Sequence, residues 1–185
     1  MRAFVAVFPP SEVRTEALAR AGRWPLDERV QWTTPENVHL TLKFLGDVRP
    51  EALDDIYAAL GEVCAEHAPF DAVLAELGAF PSARRARILW VGVGAGSDRL
   101  RSLSADVDDA LAPLGFEREK RPYVPHLTLG RVRGGPLNLD LPSGGGGTRF
   151  RVGRVELMES RLAAKGATYR TVGNFTLGGK PEYRS

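Results

Sequence analysis

The sequence predicts an α+β protein of two pseudo-symmetric lobes, and two observations lead there. His39-Leu40-Thr41-Leu42 recurs unchanged as His126-Leu127-Thr128-Leu129. Each copy closes a similar succession of strand, helix and strand, with Phe4 lying 35 positions before His39 and Leu89 lying 37 before His126. That spacing is the mark of an internal duplication. With 185 residues, 43% of them apolar and 26% charged, the chain has the composition of an ordinary globular fold. It is read as a single two-lobed domain over 1–185.

Taken in order, Arg2 to Phe8 reads as a strand and Pro9-Pro10-Ser11 as a turn. Ser11 to about Ala21 reads as a helix, with Val13, Ala17, Leu18 and Ala21 at helical spacing. Val30-Gln31-Trp32 and the turn Thr34-Pro35-Glu36-Asn37 lead into the first quartet. Pro50-Glu51 starts a helix to about residue 67, Phe70 to Leu77 is a strand, and Phe80-Pro81-Ser82 opens a basic loop. Ile88 to Val93 is a buried strand, followed by Ser97 as N-cap of a helix over Asp98 to Leu111. Beyond the second quartet, Gly134-Gly135-Pro136 and Ser143 to Gly147 read as flexible linkers, because no Gly-Lys-Ser/Thr element follows to make a phosphate loop. Phe150 to Leu162 and Ala167 to Val172 alternate like a hairpin around Lys165-Gly166, Asn174 to Leu177 is a last strand, and 178–185 is expected to fray.

The repeated quartet carries the chemistry. Alternate side chains of a strand point to opposite faces, so His39 shares a face with Thr41, and His126 with Thr128, while the four leucines anchor the other face in a core. Two such strands side by side form a pocket with two imidazoles and two neutral hydroxyls. An ordinary imidazole titrates near pH ~6.5, so one can act as base while its protonated partner acts as acid. The threonine hydroxyls can donate to non-bridging phosphoryl oxygens. This is a metal-free phosphodiester site in outline.

The chain resembles the bacterial two-histidine phosphoesterases, specifically the RNA 2',3'-cyclic phosphodiesterase group, also called 2'-5' RNA ligase. The resemblance rests on Arg2-Ala3-Phe4-Val5-Ala6, His39-Leu40-Thr41-Leu42-Lys43-Phe44-Leu45-Gly46, Pro125-His126-Leu127-Thr128-Leu129 with Arg131, and Glu159-Ser160-Arg161-Leu162 with Tyr169. It implies that each lobe is an antiparallel sheet backed by helices, with both histidines lining a central cleft. It also implies hydrolysis of a terminal 2',3'-cyclic phosphate to a 2'-phosphate, with ATP-independent ligation in some members. His39 would then be the proton donor to the departing 3'-oxygen and His126 the base that activates water, with Thr41 and Thr128 holding the phosphoryl oxygens.

Three further residues are candidates for substrate binding. Lys43 has the parity of His39 and Thr41. Arg131 has the parity opposite to His126 and reaches the cleft only if the strand ends or bulges near Gly130. Tyr123 directly precedes the second quartet and, with Trp32, Phe44, Phe80 and Trp90, could stack on a base. Twenty-five Lys and Arg against 23 Asp and Glu leave a net charge of +2, too small to signal nucleic acid alone. Local groups are more telling: Arg84, Arg85 and Arg87 in one loop, and Arg118, Lys120, Arg121, Arg131 and Arg133 around the second quartet.

The lone Cys64 suits a reducing cytoplasm and reads as a packed thiol, and His67 as a helix-terminal charge. No apolar stretch suggests a signal peptide or membrane span. No cofactor is called for, and the expected partner is an RNA or nucleotide with a 2',3'-cyclic phosphate end, bound by a monomer. Two rival readings remain, a non-catalytic RNA-binding module with the same cleft and a metallohydrolase using the histidines as ligands. No carboxylate or third histidine has the spacing to complete a zinc site.

Overall fold

The computed structural model describes residues 1–22, 28–141, 146–163 and 166–180. The expected turn at Lys165, most of the 143–147 linker and the end beyond 180 lie outside them. Among the described residues, nine strands and three α-helices run in the order β1 (Arg2–Val7), α1 (Ser11–Ala21), β2 (Val30–Trp32), β3 (Leu40–Asp47), α2 (Leu53–Glu66), β4 (Phe70–Phe80), β5 (Ile88–Val93), α3 (Ser97–Leu111), β6 (His126–Val132), β7 (Arg149–Val152), β8 (Arg154–Ala163) and β9 (Gly166–Thr176).

The strands form one antiparallel sheet in the order β7-β4-β5-β6-β3-β1-β8-β9, with β2 also on β6. The two expected sheets are therefore joined, and they meet at the single residue pair Leu40–Leu127. About this seam β3 corresponds to β6, β1 to β5, β8 to β4 and β9 to β7. The helices cross over. α1 follows β1 but packs on β4 and β6, whereas α3 follows β5 but packs on β3 and on α2, which in turn covers β9. Each half thus borrows a helix from the other half's chain segment, and the halves share one core.

Burial explains which way the quartets face. Leu40, Leu127 and Leu129 are 0% exposed and Leu42 is 3% exposed, all in the helix-side core. Burying each stabilises by about 1.5–3 kcal/mol, which leaves His39, Thr41, His126 and Thr128 on the other face. β1 is buried on both faces: Ala3, Val5 and Val7 join the main core, while Phe4 and Ala6 pack with Met158 on the cleft side.

Both quartets end in a bulge at the same residue. In β3 the partners of Ala6 and Val5 are Thr41 and Lys43, so Leu42 is skipped; in β6 the partners of Trp90 and Leu89 are Thr128 and Gly130, so Leu129 is skipped. One extra residue reverses parity downstream. Arg131 is consequently turned to the cleft face, as the sequence required of a bulge near Gly130. The same device removes Lys43 from the site. Its side chain is buried on the helix side, ion-paired to Asp108 of α3 and donating to the Glu117 carbonyl at 2.7 Å. Asp108 also accepts the Glu119 N–H at 3.2 Å. Lys43 thus ties the first quartet's strand to α3 and to the segment that leads into the second quartet.

Other expectations shift. The N-cap of α3 is Gly96, not Ser97: its φ is 86°, and a Cβ there would lie 2.6 Å from the Asp71 carbonyl oxygen. The segment 150–162 is not one strand of a hairpin. It breaks at Gly153 into β7, which pairs with β4, and β8, which pairs with β1, so the chain passes here from one half of the sheet to the other. β8 does pair with β9, which runs unbroken through 166–176. His67 is buried at the end of α2, and its Nε2 lies 2.7 Å from Asp106 Oδ2 of α3, a cross-helix contact rather than a free terminal charge.

Removing one partner of a buried ion pair leaves the other charge uncompensated, at a cost of about 3–5 kcal/mol. Lys43→Met is expected to lower the unfolding free energy by that amount in urea titrations, and Asp108→Leu added to it to recover most of the loss. A cost below about 1 kcal/mol, the range of exposed pairs, would contradict the buried clamp.

Candidate active site at the sheet seam

His39 sits just before β3 and just after the turn Pro35–Asn37, which α1 holds through Arg14 Nη1 donating to the Pro35 and Glu36 carbonyls at 3.1 Å each. Asn37 is also fixed to β9, its Nδ2 donating to the Ala167 carbonyl at 3.0 Å. From this support the Asn37 carbonyl lies 2.7 Å from His39 Nδ1. The second half repeats the arrangement, with the Val124 carbonyl 2.7 Å from His126 Nδ1. A carbonyl oxygen only accepts, so in both rings Nδ1 carries the hydrogen and Nε2 presents its lone pair. The duplicated quartet therefore positions two imidazoles in the same tautomer, each fixed by the carbonyl two residues before it.

The antiparallel register about Leu40–Leu127 sets the first quartet's histidine position against the second's threonine position, and the reverse. His39 Nε2 lies 3.0 Å from Thr41 Oγ1. With Nδ1 protonated, it is the Thr41 hydroxyl that donates to Nε2. A proton arriving at Nε2 breaks that donation and releases the hydroxyl hydrogen for a phosphoryl oxygen.

Aromatic rings enclose each imidazole. Phe4 stacks on His39 with centroids 4.9 Å apart, Phe8 lies at 5.1 Å and Tyr169 meets it edge-on at 5.3 Å. Phe80 meets His126 edge-on at 5.0 Å, and Trp90 lies at 5.9 Å. These walls desolvate the rings and favour the neutral form. Burial, above all, lowers the His39 pKa to about 4, with the His126 and Arg131 charges adding to the effect against the opposing Asn37 hydrogen bond. Burial and then Arg131 lower that of His126 too, again against its carbonyl bond. Arg131 is thus close enough to act on both rings, and the free site holds two neutral imidazoles at neutral pH.

The structure brings His39, Thr41, His126, Thr128 and Arg131 to one face and leaves Lys43 behind it. Tyr123 packs against the main core with its hydroxyl buried, and burial raises its pKa. Of the other aromatics, Phe80 and Trp90 line the site, and Phe44, at 66% exposure, stands beside Phe4 at 6.3 Å. Cys64 is buried, its thiol raised to about 12 by desolvation, too high for a nucleophile. Among the described residues no three His, Cys, Asp or Glu side chains converge as metal ligands. No helix among them is long and apolar enough to cross a membrane. The wall of Phe4, Phe8 and Tyr169 around His39 was missed in the sequence; the alternation of β1 beside the quartet was the available signal.

The site sets two histidines and two threonines on one face of a duplicated sheet, and comparison with known proteins gives the chain a family. The profile of the 2'-5' RNA ligase superfamily matches residues 9–142. The chain belongs to that superfamily. It is 31% identical to an Aquifex aeolicus protein named RNA 2',3'-cyclic phosphodiesterase, across 97% of this chain and 98% of that one. A Methanothermobacter thermautotrophicus protein of the same name is 35% identical, across 82% and 84%. Among solved structures, TT0787 of Thermus thermophilus superposes with a TM-score of 0.81 at 29% identity, covering 97% of this chain and 99% of that one. E. coli LigT complexed with 3'-AMP does so with 0.83 at 26%, covering 96% and 98%.

The depressed pKa of His39 has a measurable sign. Between its folded value of about 4 and the unfolded value near ~6.5, the unfolded chain binds more protons, so stability falls as pH is lowered through that window and levels off below it. NMR titration of the imidazoles should place both midpoints below ~6.5 with His39 near 4, and Arg131→Gln should raise both. Ordinary titration of His39 in the folded protein would contradict this electrostatic account.

Proposed function

We propose that this protein hydrolyses the 2',3'-cyclic phosphate at the end of an RNA or nucleotide to a 2'-phosphate, by paired histidine acid–base catalysis without a metal. The observation that carries the reading is the matched pair of Nδ1-to-carbonyl bonds, which leaves both Nε2 atoms as the proton-accepting positions, that of His39 already accepting from the Thr41 hydroxyl. The names of the relatives support the reaction, and a complex with 3'-AMP in E. coli LigT supports a nucleotide ligand.

In the mechanism, His126 Nε2 takes a proton from water as the water oxygen attacks phosphorus. His39 Nε2–H gives its proton to the departing ribose 3'-oxygen, and the P–O3' bond breaks to leave a 2'-phosphate. Thr41 and Thr128 donate to the non-bridging oxygens, and Arg131 offsets their negative charge. A 5'-hydroxyl in the place of water would undergo the same proton transfers and give a 2'-5' phosphodiester.

His39 is neutral in the free protein at neutral pH, so the acid must acquire its proton with the substrate. An anionic phosphate beside the imidazoles raises their pKa values and opposes burial and Arg131. The pH profile of kcat/KM reports the free protein and is expected to be a bell with its maximum below pH ~6.5. That of kcat should lie further to alkaline pH.

The test is incubation with an oligonucleotide ending in a 2',3'-cyclic phosphate, in excess chelator, with identification of the product isomer. Exclusive 2'-phosphate is expected, and no turnover would leave the binding-module reading in its place. His39→Ala and His126→Ala should each cost about 10²–10⁴-fold in turnover, and the double variant should be scarcely slower, because acid and base act as a unit. Turnover at the unsubstituted rate in either single variant would overturn the mechanism.

A further inference from the structure

A polynucleotide whose cyclic end lies between the histidines must leave the seam over one half of the sheet or the other. The halves differ at equivalent places. After the matched bulges, the residue turned to the cleft face is Phe44 in the first half and Arg131 in the second.

Charge pairing separates the halves further, not at their outer strands but near the seam. In the first, Arg161 and Arg170 both pair with Glu159, at 3.1 and 2.9 Å, and Arg154 pairs with Glu156 at 3.2 Å. In the second, Arg149 and Arg151 of β7 likewise pair with Asp71, at 3.4 and 3.2 Å, but nearer the seam, among the described residues, no carboxylate pairs with Arg84, Arg85, Arg87 or Arg131, and Arg133 donates to the neutral Gln31 Oε1 at 2.6 and 3.1 Å. Arg84, Arg85 and Arg87 are all exposed.

The loop that bears those three arginines is built onto the site. It springs from Phe80, whose ring meets His126. Its far end returns to Phe80, with the Arg87 N–H donating to the Phe80 carbonyl at 2.8 Å, and it is fastened to β6 by the Val132 N–H donating to the Arg87 carbonyl at 2.9 Å. Ala86 and Leu137 exchange hydrogen bonds of 2.8 and 3.0 Å on its outer side. Unneutralised cations on a braced loop repel one another, and a polyanion relieves that repulsion by releasing its own counterions.

We propose that the RNA upstream of the cyclic end runs over the second half of the sheet, along Arg131, Arg133 and the Arg84–Arg85–Arg87 loop, so that the protein prefers oligomeric ends to mononucleotides. The proposal rests on the hydrolytic reading above. A phosphate chain fits better than an acidic peptide, because the track continues from a site shaped for a phosphodiester.

The experiment compares the unsubstituted protein with the triple variant Arg84→Gln, Arg85→Gln, Arg87→Gln on 2',3'-cyclic AMP and on cyclic-ended oligoribonucleotides of increasing length, across salt concentrations. KM should fall with length in the unsubstituted protein. The triple variant should raise KM for oligomers about tenfold at low salt and reduce the salt slope by about 2, for three single-strand phosphate contacts. Its turnover of the cyclic mononucleotide should be unchanged. The first-half variant Arg161→Gln with Arg170→Gln should leave oligomer KM as it was.

Equal KM for mononucleotide and oligomer, an unaltered salt slope in the triple variant, or a larger effect from the first-half variant would overturn the track. Competition by polyglutamate as strong as by RNA would do the same. If no substrate is hydrolysed, the catalytic reading fails by itself, and fluorescence polarisation with a labelled oligomer still measures whether the triple variant loses salt-dependent binding.

Discussion

The molecule turns on one cross-strand pair, Leu40 against Leu127. Both residues are fully buried beneath the helices, and their burial fixes the parity of both quartets at once. A slip of one residue in either strand would send a histidine into the core and a leucine into the cleft, so the hydrophobic effect enforces the register that pairs the histidines on one face. The crossed helices strengthen this constraint, because α1 and α3 each pack on the half of the sheet from which their own chain segment does not come. Separating the halves would expose both helices as well as the seam.

Given that register, the geometry around the two histidines is local. Each imidazole is held by a carbonyl two residues upstream, and each carbonyl belongs to a turn or extended segment that the rest of the fold supports. The tautomer is thereby decided before any substrate arrives. The aromatic walls then make the rings hard to protonate, and in the proposed mechanism the anionic substrate brings the site to its working charge. Arg131 serves two ends here: it depresses both imidazoles in the free protein and meets the phosphate in the proposed complex.

The facing of the duplicated quartet was legible because its residues alternate in parity along consecutive positions, and β5 and α1 were legible because their apolar periodicity is clean. Lys43 was misplaced for a definite reason. Parity counting assumes an unbroken strand, and the bulge at Leu42 has no residue signature such as glycine or proline; the tertiary pairing with β1 creates it. The matching bulge at Leu129 was readable only because Gly130 follows it. The break at Gly153 was hidden in the same way, since alternation continues through both strands while their partners lie in different halves. The ring wall around His39 comes from β1, the segment after it and β9, which no local pattern joins.

The proposed mechanism gives the two histidines opposite roles, and the departing oxygen is the only feature that distinguishes them in a pseudo-symmetric pocket. Replacing the 3'-oxygen of the cyclic phosphate by sulfur makes the leaving group good enough to depart without an acid. The account predicts that His39→Ala regains much of its lost rate on this 3'-thio substrate while His126→Ala stays slow, because water still lacks its base. Recovery of neither variant would contradict it, and would leave the histidines holding the phosphate rather than moving protons.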